Sequence, residues 1–172
     1  IGHNSLANMI KSKELFPSPS ITQQEVDSII MSQLPQLSKD DLMYFLLHSG
    51  KFSKKKNRRN KIEIIERHLG IIESSLRRFP TSSWTGKDIS FMINSLQVVR
   101  DNDTGVIEFL VLLTTIIGES LNTKNTLSTQ GVSMIMYGLR GMRSVCFELR
   151  ALLKIIVVDI MHCNEIFNAQ AV

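Results

Sequence analysis

A chain of 172 residues that is 43% hydrophobic and 21% charged has enough apolar content for a packed core and too little charge for a disordered tail. Its length allows one domain or one stack of repeats and leaves no room for a large two-domain enzyme. The formal charge is +4, yet seven basic residues (Lys51, Lys54, Lys55, Lys56, Arg58, Arg59 and Lys61) lie within eleven positions that contain no acid, and the remainder carries 13 basic against 16 acidic residues. The basic character therefore belongs to one segment, which reads as a phosphate-contacting patch, a targeting-like cluster or a solvated loop.

Two cysteines, Cys146 and Cys163, are too few for a disulfide scaffold, and no pair of CxxC motifs offers a zinc site. An intracellular, reducing compartment fits that usage. The apolar stretches 106–117 and 155–161 are interrupted by Glu108 and Asp159 and fall short of the roughly 18–20 apolar residues that cross a bilayer, so no membrane span is expected. The opening at Ile1 has neither the basic n-region nor the apolar h-region of a signal peptide, and the expectation is a processed product or an excised fragment.

Taken in chain order, residues 1–20, with Pro17 and Pro19, read as a flexible lead-in, and 21–172 as a helical-repeat domain. Thr22 and Glu25 form a capping-box pair ahead of Val26, Ile29 and Ile30, which predicts an extra helix over 21–34, stopped by Pro35. A six-residue pattern then recurs: Leu37-Ser38-Lys39-Asp40-Asp41-Leu42, Trp84-Thr85-Gly86-Lys87-Asp88-Ile89, Leu127-Ser128-Thr129-Gln130-Gly131-Val132 and Phe167-Asn168-Ala169-Gln170-Ala171-Val172. The starts are 47, 43 and 40 residues apart, a period near forty with insertions.

Each block is a helix start, because Ser38, Thr85, Ser128 and Asn168 are residue types that accept hydrogen bonds from unpaired first-turn N–H groups. The apolar residue before each cap can staple onto the aliphatic at the end of the pattern. Apolar residues follow at helical spacing: Phe45, Leu46 and Phe52; Met92, Ile93, Leu96 and Val99; Ile135, Met136, Leu139 and Met142. A second helix in each unit aligns on Ile62-Glu63-Ile64, Ile107-Glu108-Phe109 and Phe147-Glu148-Leu149, followed by Ile71-Ile72, Ile116-Ile117 and Ile156-Val157. Length varies mainly in the connection inside each unit, which places the basic run in a loop along one edge. The expected architecture is all-α: an α-solenoid of about three helix-turn-helix repeats starting near 37, 84 and 127, with a truncated start at 167.

No signature of an enzyme is present: there is no nucleophile elbow, HExxH motif, phosphate-binding loop or dinucleotide fingerprint. His162 and Cys163 are adjacent, so on a helix they point about 100° apart and do not share a metal readily. His68 reads as a surface residue, and Trp84 as a core staple. The acidic residues Glu63, Glu108 and Glu148 are expected near helix N-termini, where the macrodipole favours them. No catalytic residue, metal or cofactor is expected. The polar positions of the first helices that vary between units include Ser90, Asn94, Ser133 and Tyr137.

The segment 127–142, with Tyr137-Gly138-Leu139 inside it, followed by Glu148-Leu149-Arg150-Ala151-Leu152-Leu153, resembles the degenerate helical-pair repeats of the octotricopeptide and heptatricopeptide families. The likeness is good for that unit, weaker for 84–125 and poor for 37–83. Those families are mostly organellar RNA-binding proteins. The resemblance implies non-catalytic binding of single-stranded or structured RNA, alone or with other proteins of a ribonucleoprotein such as a ribosome, in a mitochondrial or other organellar matrix. It implies a base-facing role for Ser90, Asn94, Ser133 and Tyr137, beside a backbone-contacting role for the basic run Lys51–Lys61. The alternative is a protein–protein interaction scaffold that does not touch RNA.

Overall fold

The computed structural model describes residues 5–11, 21–49, 60–97, 104–121, 127–143 and 145–161. Those residues form eight α-helices and no strand: α1 (Leu6–Lys11), α2 (Gln23–Gln33), α3 (Lys39–His48), α4 (Asn60–Arg77), α5 (Gly86–Asn94), α6 (Thr104–Leu121), α7 (Thr129–Leu139) and α8 (Phe147–Met161). The caps form where the residue types demand them. Thr22, Ser38, Thr85 and Ser128 are extended, and each side chain accepts from the backbone N–H three residues on. Thr22–Glu25 and Thr85–Asp88 close full capping boxes.

The helices pack chiefly against the helix two places away. α1, α3, α5 and α7 touch in succession, and so do α2, α4, α6 and α8, with α5 on α7 and α6 on α8 the most extensive contacts. The core draws on both rows. It contains Leu42, Phe45 and Leu46 of α3, Ile64 and Ile72 of α4, Ile89 and Ile93 of α5, Phe109 and Ile117 of α6, Ile135 of α7, and Leu152 and Ile156 of α8.

Long-range polar contacts repeat the same interval. In each unit the far end of the second helix holds the residue that opens the first. Arg78 donates to the Leu37 carbonyl, Ser120 Oγ donates to the carbonyls of Thr81 (2.8 Å) and Trp84 (3.4 Å), and Asp159 Oδ2 accepts from the Leu127 N–H at 3.0 Å. The opening residues Leu37, Trp84 and Leu127 are all buried. Between units, Lys39 Nζ reaches the Ser83 carbonyl (2.6 Å) and the Asp88 carboxylate (2.8 Å), and the Gly105 N–H donates to Glu66 Oε1 at 3.1 Å.

Close approach of α5 and α7 depends on glycine. A Cβ at Gly138 would fall 2.7 Å from Asn94 Cα and nearer still to the Ile93 carbonyl oxygen, and one at Gly131 would fall 2.6 Å from Ser90 Oγ.

Four expectations are corrected. Part of the lead-in is structured: α1 buries Leu6, Met9 and Ile10, and the Leu6 N–H donates to Gln33 Oε1 at 2.6 Å. His68 is buried, its Nε2 lying 3.1 Å from Asp27 Oδ1, because the α2 row covers that side of α4. Glu108 stands beyond the first turn of α6, whereas Glu63 and Glu148 lie in the first turns of α4 and α8, so the macrodipole does not account for all three. Met136 and Val157, assigned to apolar stripes, are 59% and 49% exposed. Phe52, Val99, His162, Cys163 and the start at Phe167–Val172 lie outside the described residues.

Two variants test this packing by denaturant unfolding. Trp84→Ala should cost about 3–5 kcal/mol, the usual cost of removing a buried large aromatic. Gly138→Ala should cost about 1–3 kcal/mol by overpacking, since its Cβ meets backbone that cannot rotate away; a neutral result would contradict the close α5–α7 crossing.

Candidate nucleic-acid interface

The residues expected to face RNA bases do not share one open surface. Ser90 is 1% exposed, donates to the Gly86 carbonyl at 2.7 Å and sits under Gly131. Asn94 is half-buried beneath Gly138, with its Oδ1 buried and without a hydrogen-bond partner. Both therefore belong to the crossing of α5 and α7. Ser133 is half-buried and donates to the Thr129 carbonyl. Tyr137 is exposed, with the Arg140 guanidinium 3.8 Å from its ring centroid. Of the basic run, Lys51, Lys54, Lys55, Lys56, Arg58 and Arg59 lie outside the described residues, and Lys61 is described only as backbone within α4.

A different cluster is open on the first-helix row. Tyr44 of α3 is 49% exposed, and it stacks on His48 with centroids 6.4 Å apart and planes 10° apart. On its other side it meets the partly buried Phe91 of α5 at 6.1 Å. Lys87 lies one turn from Phe91, its Nζ 5.9 Å from that ring's centroid. Asp40, Met43, Tyr44, Lys87, Asp88 and Phe91 line the shallow groove between α3 and α5. Aromatic faces bordered by cations suit stacking of planar bases, with the charge left for phosphate.

The register that produces this cluster is readable in the sequence: Tyr44 and Phe91 each stand seven residues after their unit's opening Leu37 and Trp84. Two turns along a capped helix bring that position to the edge of the core, where Tyr44 is exposed and Phe91 is partly buried against it. Sequence reasoning that sought polar variation passed over it, because an aromatic at helical spacing reads as core.

The groove's floor is electrostatically fixed. Partial burial would raise the Asp88 carboxyl, but the hydrogen bonds from Lys39 and from the Thr85 backbone and hydroxyl outweigh it and hold Asp88 below the ordinary aspartate value. Asp27, at the α2–α4 contact, is likewise lowered: partial burial opposes the shift, and Gln23, His68 and Arg67 overcome it. Among the described residues there is no group of three His, Cys, Asp or Glu side chains placed to hold a metal, and no helix long and apolar enough to cross a membrane.

Comparison with protein-family models, with curated proteins and with solved structures finds no match for this chain.

A group whose folded-state pKa is depressed stabilises the fold above its unfolded value, near 3.9 for aspartate, and that stability is lost as pH falls through the folded value. Asp88→Asn should therefore destabilise the protein at pH 7 by about 1–3 kcal/mol, through loss of the charge-assisted bonds to Lys39 and the cap. The difference between variant and parent should shrink below about pH 4. Urea midpoints across pH 2.5–7 check this, and a pH-independent difference would refute it.

Proposed function

We propose that the chain is a stack of about three helix-turn-helix repeats, an α-solenoid, that binds single-stranded RNA without catalysis, within an organellar ribonucleoprotein. The observation that carries the reading is the Tyr44–Phe91 pair with Lys87 and His48. It places aromatic faces at equivalent positions of neighbouring units, with a cation beside one of them. The basic run adds weight, because Lys51 follows three residues after His48, at the end of α3. Bases would stack at the groove while the lysines and arginines of 51–61 neutralise the backbone. The alternation of helix contacts between two rows supports the solenoid form. The resemblance of 127–153 to organellar helical repeats supports the location.

In this reading Ser90 and Asn94 are not base-facing. The expected recognition is of shape, backbone and stacking, with little discrimination of sequence. A protein-binding scaffold is the second reading, and exposed Val145, Phe147 and Met161 favour it.

Polarisation of a labelled single-stranded RNA pool across salt concentrations separates the two. Each phosphate contact contributes about −0.7 to the log–log salt slope on single strands. Replacing Lys54, Lys55, Lys56, Arg58 and Arg59 by Gln should flatten the slope by up to roughly three units. Tyr44→Ala should weaken binding by about 1–3 kcal/mol with little change of slope, because stacking releases few counterions. Absence of salt-dependent binding by the parent at low salt would defeat the RNA reading and leave the scaffold.

A further inference from the structure

The groove between α3 and α5 carries hydrogen-bonding groups that stacking does not use. Asp40 and Lys87 each stand three residues after their unit's opening Leu37 or Trp84, and both line the groove. Asp88 is held by Lys39 and by the Thr85 cap, so its charge is already matched. Asp40 is exposed, and among the described residues no hydrogen bond or ion pair engages its carboxylate. Lys87 Nζ lies over the Phe91 ring and makes no ion pair among the described residues. An unpaired carboxylate repels phosphate and offers two acceptor oxygens, while the lysine offers donors. Tyr44, one turn after Asp40 on the same helix, adds an aromatic face.

Two acceptors and a donor beside a stacking face are the complement of a flat heterocycle with two adjacent donors and an acceptor along one edge. Among the four RNA bases only guanine has that edge, its N1–H and N2 amino group lying next to O6. Adenine and cytosine set one amino group beside a ring-nitrogen lone pair, which the carboxylate repels, and uracil flanks its N–H with two carbonyls. The far end of α3 suits phosphate. His48 stacks on Tyr44 and stands eight residues from Asp40, about 12 Å along the helix, and the basic run begins three residues later. The order carboxylate, aromatic ring, cation along α3 follows the order base edge, base face, phosphate of one nucleotide.

We propose that this groove seats a guanine stacked on Tyr44, with Asp40 accepting from its N1–H and amino group and Lys87 donating to its O6. The proposal rests on the RNA reading of the groove. It concerns the one base seated there and leaves the rest of the strand to backbone contacts.

The test uses the full chain and short labelled uridine strands that carry guanosine, adenosine, cytidine or inosine at one central position, read by polarisation across salt concentrations. The guanosine strand should bind about fivefold or more tightly than the adenosine and cytidine strands, the discrimination expected of a good bidentate pair to a base edge. Inosine, which lacks the amino group, should lose part of that preference. Asp40→Ala should bind the guanosine and adenosine strands alike, with the salt slope of the parent and an unchanged melting temperature. Salt-dependent binding that is equal for all four strands would overturn the proposal and leave the RNA reading standing. A guanosine preference that survives Asp40→Ala would overturn it too. Absence of salt-dependent binding to every strand would overturn both, and Asp40-dependent binding of an arginine-rich peptide in its place would make the occupant a protein guanidinium.

Discussion

The architecture depends on how each unit closes on itself. A large apolar residue (Leu37, Trp84 or Leu127) is buried just ahead of a capped helix, and a polar group from the far end of the following helix takes hold of its backbone. Burial of such a residue strands its own N–H and C=O away from water, and an unpaired buried backbone group costs about as much as a lost hydrogen bond. Three chemically different side chains, Arg78, Ser120 and Asp159, meet that need. The recurring constraint is the stranded backbone group, and the residue that satisfies it varies with whether a carbonyl or an N–H is presented.

Beyond these held openings, the helices contact one another in two rows. α3, α5 and α7 touch in succession, as do α4, α6 and α8, and Gly138 lets α7 approach the backbone at Ile93 and Asn94, while Gly131 faces the Ser90 side chain and Gly118 the end of Ile155. Lys39 links two units at once, bonding Asp88 and the Ser83 carbonyl while its Nζ lies 5.6 Å from the Trp84 ring centroid. The groove that displays Tyr44 and Phe91 sits directly above this link. The Tyr44–Phe91 aromatic pair is thereby carried on helices that this link holds together.

The capped starts were legible in the sequence because they combine two independent signals, an apolar staple and a hydrogen-bonding side chain, at a repeated interval. Ser38, Thr85 and Ser128 cap as their residue types imply. Burial was harder to read for single polar residues. His68 and Ser90 are polar by type, but each is covered by a neighbouring unit about forty residues away, and a helical wheel of one segment carries no information about that neighbour. Ser90 and Asn94 lie against Gly131 and Gly138 of the helix that packs on them, which from sequence alone looks the same as a polar surface open for recognition. The converse holds for Met136 and Val157, which follow the apolar phase of their helices and are nonetheless exposed.

If the end of each second helix secures the opening of the helix pair, the effect is isolated best at Leu127. There a carboxylate, Asp159, accepts from the Leu127 N–H. Native-state hydrogen exchange, read at the amides of Leu127, Gly131 and Val132 with Leu113 as an internal reference, measures this directly in the parent and in Asp159→Ala. A slow Leu127 amide is expected in the parent, and in the variant a loss of protection confined to Leu127 and the first turn of α7, with Leu113 unchanged. An unprotected Leu127 amide in the parent, or a variant in which that first turn keeps its protection, would contradict it.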